Sequence, residues 1–102
     1  MQNKVEEFNK TKRCHEKPMP IYARLLDIQS EFGELAKEFL NNTKYGTKDF
    51  DLSDDFLMEF GDVLYALLSL ANELKLKAED CLDMAFEKYK KRIDNKNSMA
   101  SK

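Results

Sequence analysis

Between Ile21 and Leu40, the apolar residues Ile21, Leu25, Ile28, Phe32, Leu35 and Phe39 recur at alternating steps of four and three, the spacing that lays a stripe along one side of an α-helix. The same steps return in Phe56, Phe60, Val63, Leu67, Leu70 and Leu74. Between them, "NNTKYGTKDFDL" interrupts the period with Asn, Thr and Gly. Ser53, followed by Asp54 and Asp55, then supplies an N-cap and an acidic first turn for a second helix. A third periodic segment, Ala78 to Ile93, puts Leu82, Ala85, Tyr89 and Ile93 on one face with Cys81 and Phe86 beside it, and ends in the basic run "KYKKR". Upstream, Pro18 and Pro20 mark the start of the first long helix, and Val5 and Phe8 lie on one side of a short helix over residues 2–13. No segment carries a useful β-strand pattern. The expectation is an all-α fold, an antiparallel helical bundle on two long helices joined by a loop of about a dozen residues. Residues 1–20 read as an N-terminal segment, 21–93 as the domain and 94–102 as a flexible polar tail.

A chain of 102 residues can bury one modest core, so a single domain that leans on self-association is expected. Its 17 basic and 19 acidic residues are interspersed and leave a net charge of -2, which argues against nucleic-acid binding by bulk charge. No apolar run approaches the roughly 18 residues of a membrane span, and the N-terminus lacks the apolar core of a signal peptide. Cys14 and Cys81 form no CxxC or Cys/His spacing and fit a reducing compartment. Together these features predict a cytoplasmic protein with neither nucleic acid nor membrane as partner.

The candidate chemistry lies in "EFGE", Glu31 to Glu34, which returns as "EFGD", Glu59 to Asp62. Acids three apart are common: at this composition chance supplies about three such pairs. Register makes these two distinctive, because Glu31 and Glu59 are four whole heptads apart and each pair flanks its apolar stripe at the same place. Asp27 and Glu38 extend the first pair along one flank. Packing the stripes together would converge four carboxylates at the core edge, where repulsion calls for a cation, and a hard divalent ion such as magnesium fits. Such a cluster suits a phosphoester or phosphoanhydride substrate. Ala66 and Ser69 continue the flank with small side chains that leave room for a ligand, and Gly33 and Gly61 suggest close backbone approach. Ferritin-like iron or manganese sites need Glu-x-x-His pairs, whereas the one histidine, His15, reads as a loop residue before the helices.

These residues carry a family resemblance. "LLDIQSEFGELAKEFL", "KYG", "FLMEFGDVLYALLSLANEL" and "AFEKYKKRI", spanning Ile21 to Ile93, resemble the MazG-like branch of the all-α nucleoside triphosphate pyrophosphohydrolases. The resemblance implies hydrolysis of a nucleoside triphosphate between its α and β phosphates, giving a monophosphate and pyrophosphate, in nucleotide-pool house-cleaning. It implies Mg2+, or Mn2+ in its place, held by Glu31, Glu34, Glu59 and Asp62. Glu31 or Glu34 would also activate the attacking water, and Lys88 and Arg92 would lie near the phosphates. It further implies a homodimer or homotetramer. The chain departs from nucleotide-selective members in having no Trp and in carrying Tyr89 where they place Asn; Tyr45 and Tyr65 are the candidates for stacking on a base. Two other readings remain open: phosphoribosyl-ATP pyrophosphohydrolase, and a non-catalytic helical interaction module whose acids are ordinary surface charge.

Overall fold

A computed structural model describes residues 1–13 and 20–100. Cys14, His15 and Pro18 therefore lie outside the described residues. Four helices follow one another: α1 (Gln2–Arg13), α2 (Ile21–Asn42), α3 (Asp54–Glu73) and α4 (Ala78–Ala100), with no strand among the described residues. The all-helical expectation holds. Pro20 stands at the N-cap of α2 in an extended conformation, where its missing N–H costs nothing. Ser53 caps α3 through its side-chain oxygen, which accepts the Phe56 N–H at 3.2 Å, with Asp54 and Asp55 in the first turn.

Helices α2 and α3 end alike. Lys44, just past the cap of α2, takes φ 48°, and its N–H reaches Asn41 O while the Tyr45 N–H reaches Leu40 O at 2.7 Å. Lys75 takes φ 58° after α3, with its N–H on Asn72 O and the Leu76 N–H on Ala71 O at 2.8 Å. Both are Schellman closures with lysine in the left-handed position where glycine is commonest. The loop after α2 stays left-handed through Tyr45 and Gly46, and the Asn42 side chain pins it by bonding both backbone groups of Asp51. Phe50 folds back onto Phe39, stacked at 5.2 Å, and onto Phe56, edge-on at 4.9 Å.

Helices α2 and α3 pack antiparallel, with Arg24 against Glu73 at one end and the Phe39–Phe50–Phe56 group at the other. The face α2 turns towards α3 differs from the one its apolar period suggests. Ala23, Arg24, Asp27, Ile28, Glu31, Leu35, Glu38 and Asn42 are the buried or half-buried positions, while Phe32 is 61% exposed and Phe60 of α3 is 55% exposed. Each apolar stripe is wider than one helix pair can cover, so the contact takes the acid-bearing flank and leaves much of the expected core outside. Gly33 and Gly61 have no neighbour within 4 Å of an added Cβ, so the expected close approach does not occur.

Helix α1 lies against α3, with side-chain hydrogen bonds across the contact. The Asn9 amide donates to Ser69 Oγ at 3.0 Å, and its oxygen accepts from the Tyr65 hydroxyl, while Phe8 meets the Tyr65 ring edge-on. Ser69 is fully buried and Ala66 nearly so; the space expected for a ligand is filled by packing around α3. At the other end of α1, the Gln2 side chain bonds Asn72 and Leu76 O and accepts the Ala78 N–H at 2.7 Å, satisfying a first-turn donor of α4. Helix α4 runs on to Ala100, so the basic run at Lys88 to Arg92 falls mid-helix and not at its end. Leu82, Tyr89 and Ile93, expected in the core, are exposed because α4 packs extensively on neither α2 nor α3.

Candidate metal centre

Midway along the α2–α3 seam, Glu31 from α2 meets Glu59 and Asp62 from α3. One carboxylate oxygen from each lies within 4.8 Å of the others, close enough for a single cation to touch all three. The positions follow from local structure: Glu59 and Asp62 are neighbours on one face of α3 because they are three residues apart, and the Ser53 cap fixes where that helix starts. On α2, Glu31 lies seven residues, two turns, beyond Arg24, whose guanidinium is locked on Glu73 with contacts of 3.0 and 3.3 Å. That ion pair sets the register that places Glu31 opposite the acids of α3.

Burial pushes the Glu31 carboxyl above its usual range, and the nearby charges of Asp62, Asp27, Glu59 and Glu34 add to it. Glu59 is raised in the same direction, first by desolvation and then by Asp62, Glu34, Glu38 and Asp55. Each neighbouring charge that raises them is another carboxylate, so the cluster is a concentration of negative charge across two helices. Its donors are all hard oxygens, the ligand type that takes magnesium, manganese or calcium over soft metals.

Glu34 is exposed and outside the close group of three, although its charge reaches both Glu31 and Glu59. Three of the four expected ligands therefore converge, and the fourth stands one turn away on α2. Lys88 and Arg92 are exposed on α4, which carries them off the α2–α3 pair, and Lys88 lies over the Tyr89 ring at 5.2 Å. Tyr65 is engaged with Asn9 and Phe8, which removes it as a stacking platform, whereas Tyr45 stands exposed at the tip of the left-handed loop. Sequence reasoning passed over Arg24, Glu73 and Asn9. A lone charge within an apolar period, Arg24 at 8% exposure, was the available signal for the first.

The MazG nucleotide pyrophosphohydrolase domain matches residues 23–96, most of the chain and all three converging acids. The chain belongs to this family. Among its relatives is the uncharacterized protein YpjD of Bacillus subtilis, 37% identical over 78 residues, which cover 74% of this chain and 66% of YpjD, so the match spans just under two thirds of that relative. The crystal structure of YpjD, there described as a proposed pyrophosphatase, superposes with a TM-score of 0.67 at 30% identity and covers 86% of each chain. This MazG-family chain thus shares its helical fold with a relative whose suggested chemistry is of the same kind. No described helix is long and apolar enough to cross a membrane.

Proposed function

We propose that this MazG-family chain is a magnesium-dependent nucleoside triphosphate pyrophosphohydrolase that cleaves the α–β phosphoanhydride to a nucleoside monophosphate and pyrophosphate, serving nucleotide-pool house-cleaning. The observation that carries the reading is the convergence of Glu31, Glu59 and Asp62 within 4.8 Å across two helices. Burial first, and then the charges of neighbouring carboxylates, raise Glu31 and Glu59, and a bound dication would relieve that repulsion. Glu31, Glu59 and Asp62 would hold Mg2+, or Mn2+ in its place, with Glu34 adjacent as a further ligand. When bound, the ion neutralises phosphate charge and polarises the bond under attack.

The chain's own residues do the rest. Glu31 or Glu34 accepts the proton of the attacking water. Lys88 and Arg92 supply positive charge for the departing pyrophosphate, which requires α4, from this chain or another copy, to come near the acids. Tyr45, exposed in the loop after α2, is the available surface for a base to stack on.

The test is product identification after incubation with a panel of nucleoside triphosphates and magnesium. Monophosphate plus pyrophosphate is expected; diphosphate plus phosphate would overturn the bond assignment, and no turnover of any triphosphate would overturn the proposal.

A further inference from the structure

The residue that precedes α4 supplies no capping oxygen. Lys77 stands at the N-cap place before Ala78, and a lysine side chain offers donors but no acceptor. The acceptor for the Ala78 N–H comes from Gln2, 76 positions away, whose Oε1 takes it at 2.7 Å. The same side chain donates through Nε2 to Asn72 Oδ1 at 3.0 Å and to Leu76 O at 2.8 Å, while the Asn72 amide donates to the Gln2 carbonyl at 3.1 Å. One residue of α1 thus ties together the last turn of α3, the connecting turn and the first residue of α4.

What keeps Gln2 in place is the docking of α1. Gln2, Val5 and Asn9, at steps of three and four, form its docked face: among the described side chains of α1, Asn9 is buried and the other two are half-buried. Asn9 fixes the register, because its one amide serves both Ser69 Oγ and the Tyr65 hydroxyl. A helix of 12 residues is marginal in water by itself, so α1 keeps its shape by staying docked. Among the described residues, α4 packs extensively on no other helix. The Gln2 contacts therefore weigh heavily in setting the direction in which α4 leaves α3.

We infer that α1 is a releasable clasp: docked, it caps α4 and fixes that helix's direction, and undocking uncaps and frees α4 in the same step. Docking and capping are linked reciprocally, so whatever loosens Asn9 at one end of α1 is felt at Ala78 beyond the other. Helix α4 carries Lys88 and Arg92, so the clasp regulates whether they are held in one place relative to the acids. That last consequence rests on the proposed function. The clasp is read without substrate and stands or falls apart from the reaction.

The experiment is hydrogen exchange of the full chain followed by NMR, reading the Ala78 amide beside those of Glu6 to Asn9. In the parent, both sets are expected to exchange through one common opening. Asn9→Ala, whose lost partners lie on α3, should speed both by the same factor, at least about tenfold. Asn42→Ala should speed the Asp51 amide, whose acceptor it removes, and leave Ala78 at the parent rate. Spin labels at the exposed positions 37 and 96, in a cysteine-free chain diluted with unlabelled protein, should give a narrow distance in the parent and a broad one in Asn9→Ala. Should Asn9→Ala cost helicity beyond α1, Phe8→Ala serves as the milder probe, since it removes the edge-on contact with Tyr65, and both sets should again accelerate together. An Ala78 amide that keeps the parent rate while α1 accelerates would overturn the inference. So would an unbroadened distance, or equal acceleration of Ala78 by Asn42→Ala.

Discussion

At one end of the α2–α3 seam, Arg24 and Glu73 close a buried ion pair with two contacts to one oxygen. Two turns along α2, Glu31 meets Glu59 and Asp62 with no opposite charge among the influences that raise the glutamates. The first cluster is complete within the chain and resists being pulled apart. The second is strained until something positive arrives. One helix pair thus holds one charged group whose counter-charge the chain supplies and one, the proposed metal centre, whose neighbouring charges are all of its own sign.

The comparison breaks most visibly under Glu59→Gln. This change should lower kcat/KM for the preferred triphosphate by roughly a hundredfold or more, while thermal denaturation of the metal-free variant shows a melting temperature no lower than the parent's, because repulsion has been removed. An unchanged rate would move the centre elsewhere. Arg24→Ala should do the reverse to the fold, destabilising it by about 3–5 kcal/mol in urea titration, since it takes the guanidinium away from a largely buried ion pair. A loss below about 1 kcal/mol would mean that the pair is a surface contact in practice.

The effect of pH separates the ends more finely. Glu31 and Glu59 have raised pKa values in the folded state, so over the interval from the ordinary glutamate value up to the raised one the folded chain binds more protons than the unfolded. Stability of the metal-free protein should therefore include a contribution that falls as pH rises through that interval. Chemical denaturation across mildly acid to neutral pH should show the slope flattened by Glu59→Gln and by saturating Mg2+; an identical slope in all three would remove the repulsion argument. The smallest effect belongs to Glu34. Because it stands outside the close group, Glu34→Gln should retain most of the Mg2+-induced rise in melting temperature that Glu31→Gln loses. Equal losses would place Glu34 on the ion as firmly as Glu31.

Much of this was legible in the chain. The helices show in the four-three period, the start of α3 in Ser53, and the paired acids in their heptad match, because these are local signals written within a few turns. Which face of α2 meets α3 was not legible. Phe32 and Phe60 read as core by period, yet the contact runs one flank over, a choice settled by long-range partners such as Arg24 with Glu73. The same holds for α1: nothing near Asn9 announces that Ser69 and Tyr65, some sixty residues on, will satisfy its amide. The glycines misled for a related reason, since a helical glycine signals close approach only if a neighbour comes to it, and at Gly33 and Gly61 none does.

The left-handed turn at Lys75 bears on more than the closing of α3. Helix α4 is 23 residues long, a rod of about 35 Å, and it is anchored to the rest of the chain chiefly through that turn and the Gln2 contact to Ala78. It behaves as a lever with a short fulcrum. A change of roughly 10° in the backbone at Lys75 would carry the far end of α4 through about 6 Å, so the reach of Lys88 and Arg92 is governed by one residue's dihedral angles well before any side chain moves.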